Sequence, residues 1–123
     1  MLASATVIGF IPTTDFRRAK RFFATKLGLR FVARDKFALV FASGGTMIRV
    51  VKVGAFQAAG FTILGWKVAD IEERVRKLVE RGIVFERYAG MQQDDLGIWT
   101  APGGTQVAWF KDPDGNVLSL SSR

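Results

Sequence analysis

The period of apolar and polar positions changes several times along the chain, and each change marks an element. Ala5 to Pro12 is a run of β-branched and aromatic residues that predicts a strand, and Thr13, Thr14 and Asp15 behind it supply helix-capping chemistry. Phe16, Ala19, Phe23 and Leu27 then recur at helical spacing, and Gly28 sits where a left-handed C-cap glycine belongs. Three short strand-like runs follow, Leu29–Arg34, Lys36–Ala42 and Thr46–Val53, separated by Asp35 and by Ser43-Gly44-Gly45. This first module reads β-α-β-β-β.

Gly54 to Gly60 is a linker of mostly small residues, after which the order begins again. Phe61–Val68 predicts a strand, and Asp70 caps a helix running to Arg81. The buried stripe of that helix is Ile71, Val75, Leu78 and Val79, and Gly82 ends it. Ile83–Tyr88 reads as a strand, Ala89–Asp95 as a polar loop and Leu96–Ala101 as a short extended run. Thr105–Lys111 and Asn116–Ser122 close the chain as a hairpin around Asp112-Pro113-Asp114-Gly115. Superimposing Gly45 on Gly115 aligns Thr46–Val50 with Asn116–Leu120, while Asp15 and Asp70 align the first strands. The chain is therefore a single domain of two related modules, 1–53 and 61–123, joined by the linker 54–60.

With 123 residues, such a domain buries roughly two-thirds of its unfolded surface. Composition narrows the chemistry: there is no cysteine and no histidine, which excludes disulfides, thiolate or imidazole metal sites, and Cys- or His-based nucleophilic catalysis. No stretch has the length and apolarity of a membrane span, and the first residues lack a basic leader region, so a cytoplasmic protein without a membrane partner is expected. The net charge of +7 is uneven. Residues 1–60 hold ten basic and two acidic groups, and residues 61–123 hold eight basic and nine acidic groups. A half at +8 beside a half at −1 suits a two-fold partner, so a homodimer is expected, with Phe56 and Ala58–Phe61 supplying apolar contact area. The basic helix carries no nucleic-acid reading motif, and no nucleic-acid partner is expected. No G-x-G-x-x-G run exists, and Gly60 and Gly65 have P-loop spacing with Trp66 in place of the lysine.

Two segments, Asp15–Leu29 (DFRRAKRFFATKLGL) and Trp109–Leu120 (WFKDPDGNVLSL), together with the repeated β-α-β-β-β order, carry a resemblance. The chain resembles the vicinal oxygen chelate superfamily of glyoxalases, bleomycin-resistance proteins and extradiol dioxygenases. The resemblance implies an α+β fold of two tandem β-α-β-β-β modules, with curved mixed sheets around a cleft and helices on the outer faces. The family's metal enzymes take ligands from the first and last strands of each module. Carried over, with about two residues of latitude in the first strands, those positions are Ile8, Arg49, Ile63 and Ser119, none of them a good metal ligand. No metal and no cofactor are therefore expected, and no catalytic residue can be named.

Strand alternation adds a second reading. Ile48, Val50, Leu118 and Leu120 form the helix-facing set, which leaves Met47, Arg49, Val51, Val117, Ser119 and Ser121 toward the cleft with Ile8, Phe10, Phe61 and Ile63. That lining fits a largely apolar small molecule. Arg49 reads either as a clamp for a carboxylate or phosphate, with Asp94 or Asp95 its obvious internal partner, or as an exposed strand-edge arginine. Trp99 and Trp109 read as stacking platforms or as core, and Gln92–Asp95 as a mobile flap or a solvated turn. The function these residues point to is metal-independent binding of a largely apolar ligand, anionic aromatic compounds among the candidates. The alternative is a glyoxalase-like lyase or isomerase, or an extradiol-dioxygenase-like enzyme.

Overall fold

A computed structural model describes residues 1–123, which divide into two compact units, Met1–Gln57 and Ala58–Arg123. In the first unit, β1 (Ile8–Thr13), β2 (Arg30–Arg34), β3 (Ala38–Ser43) and β4 (Thr46–Lys52) form a mixed sheet in the order β1-β4-β3-β2, with β1 parallel to β4. Asp15 starts helix α1 (Phe16–Lys20) by accepting the Arg18 N–H at 3.1 Å. The predicted helix does not continue as an α-helix. Residues Arg21–Lys26 are π-helical, and the Leu27 N–H reaches the Phe22 carbonyl at 3.0 Å. Phe22 and Phe23 both enter the core with Phe16 and Ala19, and the Phe23 ring lies 5.8 Å from that of Phe41 on β3. Gly28, at φ 75°, ends the segment as the sequence predicts.

The second unit repeats the plan with β5 (Thr62–Lys67), α2 (Ile71–Glu80), β6 (Trp99–Thr100), β7 (Gln106–Lys111) and β8 (Val117–Ser121), the sheet order being β5-β8-β7-β6. Asp70 stands at the N-cap of α2, but its carboxylate makes no cap bond there and instead lies 3.4 Å from the Arg74 guanidinium. Ile71 and Val75 bury the inner face of α2.

The expected strand Ile83–Tyr88 does not form. Phe85 bridges Phe110 and the Glu86 N–H donates to the Trp109 carbonyl, and then the chain leaves the sheet edge and returns only at Trp99 and Thr100. Two short segments thus share one edge of β7. The hairpin turn forms as predicted. The buried Asp112 carboxylate accepts the Asp114 and Asn116 N–H groups and the Asn116 side-chain amide, and Gly115 adopts φ 87°. No helix is long and apolar enough to cross a membrane.

Candidate functional site

In the first sheet, alternation separates the two faces of β1 and β4, while β3 buries Ala38 and Val40 of the open face as well. Ile11, Leu39, Phe41, Ile48 and Val50 are buried on the helix side, while Ile8, Phe10 and Met47 on the opposite face remain 44%, 61% and 40% exposed. Strand register arranges that open face in rows: Ile8, Met47, Ala42 and Arg30; Phe10, Arg49 and Val40; Pro12, Val51 and Ala38. Arg49 therefore stands on β4 between an exposed aromatic ring and a buried valine. Its side chain is 25% exposed, and its Nη2 donates to Asp35 Oδ2 at 3.0 Å.

Asp35 is the partner that sequence reasoning missed, having pointed to Asp94 or Asp95. It occupies the β2–β3 turn, where its Oδ1 accepts the Phe37 and Ala38 N–H groups at 2.8 Å each. Those backbone donors, Phe37 first, together with the Arg49 guanidinium, hold the Asp35 carboxyl below its ordinary pKa. No local pattern in the sequence aims a turn residue at Arg49; the antiparallel β3–β4 pairing, with Ala38 across from Val51, is what brings the turn to β4.

In the second unit the open face is built around Ser119, with Gly65 across from it on β5 and Trp109 on β7. Ser119 is buried, as are its neighbours Val117, Leu118 and Leu120, so exposure does not separate the two faces of β8 as it does those of β4. A β-bulge between Thr62 and Leu64 makes Ile63 the extra residue, so Thr62 lies across from Val117 and Gly65 takes the position equivalent to Phe10. Phe61, just before β5, is exposed. The Trp109 ring lies 6.1 Å from Trp99 and 5.5 Å from Tyr88, forming an aromatic cluster whose tyrosine the sequence did not single out. Burial, with the Glu86 carboxylate adding to it, pushes the Tyr88 phenol up and keeps it protonated at neutral pH.

Residues 87–98 are neither a free flap nor a merely solvated turn. Gln93 accepts the Tyr88 N–H and donates to the Glu86 and Gly97 carbonyls, and Asp94 Oδ1 accepts the Leu96 and Ile98 N–H groups. One buttressing side chain and one Asx turn pin the excursion at both ends.

Over residues 5–120 the sequence matches the Glyoxalase/Bleomycin resistance protein/Dioxygenase superfamily. The chain belongs to that superfamily. Solved structures of similar fold include a lactoylglutathione lyase from Agrobacterium tumefaciens, at TM-score 0.75 and 18% identity, covering 98% of this chain and 95% of that one. A superfamily member from Sphaerobacter thermophilus aligns at TM-score 0.74 and 21% identity over 98% of both chains. A glyoxalase family protein from Enterococcus faecalis aligns at TM-score 0.71 and 24% identity over 98% of this chain and 99% of that one. At these identities the likeness is one of fold. No curated protein sequence matches the chain.

The metal that the superfamily's enzymes use does not fit the residues present. Arg49 is a cation already committed to Asp35, and Phe10 across from it offers no donor atom. Ser119 faces Gly65, which has no side chain, and a Cβ built there would lie 2.8 Å from the Ser119 Oγ. No group of three or more acidic side chains is placed so that it could hold a metal ion. A groove of about 460 Å³ beside the start of α2 is lined by Asp70, Glu72, Glu73, Arg76 and Gln106 among others, and none of the candidate residues reaches it.

Proposed function

We propose that this superfamily member is a metal-independent small-molecule binding protein. Its ligand is largely apolar and carries an acceptor group, a carboxylate among the candidates, that Arg49 meets. The observation that carries the reading is the row Phe10, Arg49, Val40: one guanidinium set among apolar side chains on a sheet face that its own helix does not cover. Exposed Phe10, Ile8 and Met47 supply contact area, and the guanidinium supplies orientation. Trp99 and Trp109 provide aromatic faces in the second unit. The working form is a cytoplasmic homodimer.

Titration of the purified protein with 2-naphthoate and 2-naphthamide, followed by thermal shift and calorimetry, tests this. A saturable rise in melting temperature with either compound supports the reading, because a ligand that binds only the folded state stabilises it by mass action. Retention of one divalent metal per chain after exhaustive dialysis would instead favour a glyoxalase-like lyase or isomerase, or an extradiol dioxygenase. Failure of both aromatic probes would overturn the binding reading.

A further inference from the structure

Asp35 reaches Arg49 from a turn, and that fixes what the guanidinium can accept. Two backbone N–H groups hold one carboxylate oxygen at 2.8 Å each, so the other is presented to Arg49 Nη2 with the aspartate side of the pair already ordered. Among the open-face residues of β1, β3 and β4, Arg49 alone carries a charge, and Asp35 is paired with it. Arg30, the remaining cation of that face, sits on the outer strand β2, two strand spacings or roughly 10 Å from β4, about one screening length in physiological salt.

We propose that Asp35 is the specificity-determining residue of this face. Occupying Arg49, it makes the protein select an apolar ligand whose polar group is a neutral hydrogen-bond acceptor, such as an amide, ketone or ester carbonyl, over the matching carboxylate. This deepens the binding reading given above and rests on it. A guanidinium has five N–H donors and Asp35 takes one, so a neutral carbonyl can share the rest. A carboxylate bound to those same donors would lie within a few ångströms of the Asp35 carboxylate. That carboxylate stays ionised at neutral pH because its backbone donors and Arg49 favour its charged form.

The test compares 2-naphthamide with 2-naphthoate on wild-type protein and on Asp35→Asn, by calorimetry at neutral pH. Asparagine keeps an oxygen for the Phe37 and Ala38 N–H groups, while its amide nitrogen replaces the oxygen that accepts from Arg49, so the charge and that one hydrogen bond are removed together. Wild type should bind the amide at least as tightly as the acid. Asp35→Asn should strengthen the acid by about fivefold to tenfold and move the amide by less than about twofold, as expected for removing one like charge at close range. Asp35→Ser, whose hydroxyl also accepts in such turns, should shift the order in the same direction and stands in if the asparagine variant does not fold. Binding of the acid unchanged in both variants overturns the proposal and leaves the binding reading standing. Failure of both probes on wild type and variants overturns the reading and this proposal with it.

Discussion

Gly65 on β5 lies directly across from Ser119 on β8, so closely that a methyl group on Gly65 would sit 2.8 Å from the Ser119 hydroxyl and 3.3 Å from its carbonyl oxygen. Gly65→Ala should therefore destabilise the protein by about 1–3 kcal/mol through overpacking. Chemical denaturation measures this, and adding Ser119→Gly should recover part of the loss. If the losses of Gly65→Ala and of Ser119→Gly measured alone simply add in the double variant, the carbonyl, and not the hydroxyl, is the obstacle.

Arg49→Met keeps the bulk of the side chain and removes its donors. Because the guanidinium is a quarter exposed and already shared with Asp35, the expected loss of affinity for an acceptor-bearing aromatic ligand is modest, about 1–2 kcal/mol. Calorimetry with 2-naphthamide reads it, and unchanged affinity would remove Arg49 from the site.

Gln93→Ala deletes three hydrogen bonds that tie residues 86, 88 and 97 together. A stability loss of about 2 kcal/mol is expected. Amide hydrogen exchange should rise at Tyr88 and Gly97 before it rises in β7 and β8.

Asp112 carries the pH dependence. Burial raises its pKa despite the hydrogen bonds from Asn116, so the folded state holds the proton more tightly than the unfolded chain does. Its contribution to stability is then complete below the ordinary carboxyl value of 3.8 and is lost as pH rises through the raised folded value. Asp112→Asn lacks this term, so the variant should gain on wild type as pH rises from about 3.5 toward neutrality. Asp35 runs the other way. Its pKa is lowered, so its contribution is present above 3.8 and disappears as pH falls through the lower folded value. Melting temperatures across that range separate the two.

Sedimentation at low and high salt tests the homodimer. A dimer weakened by salt is expected from the +8 and −1 halves. A monomer at all concentrations rejects the dimer, and a dimer indifferent to salt rejects only its electrostatic origin.

The strands of the first module, the hairpin at Asp112 and the glycine that ends the first helix were all legible, because local patterning and turn chemistry decide them. The π-helical turns were not. Phe22 and Phe23 are both buried, and the sequence reading placed only Phe23 inward. Ile83–Tyr88 has strand composition, yet Gln93 and Asp94 draw the chain away from the β7 edge, a tertiary effect invisible to a local window. Arg49 was placed correctly among apolar neighbours by alternation. Its partner was not, since a residue in a turn has no period from which to infer its direction. The bulge at Ile63 shifted the second first-strand position for a similar reason, one extra residue being enough to change which side chain faces Ser119.

Each sheet also ends in a different kind of interruption. Strand β1 contains Pro12, which lacks a backbone donor; β2 has a shift in its pairing between Phe31 and Ala33 and an arginine at each end; β5 carries its bulge; and β6 is only two residues long. A neighbouring molecule seeking to extend either sheet would find no long, regular row of peptide groups to copy. Irregular edges of this kind disfavour strand-to-strand pairing between copies.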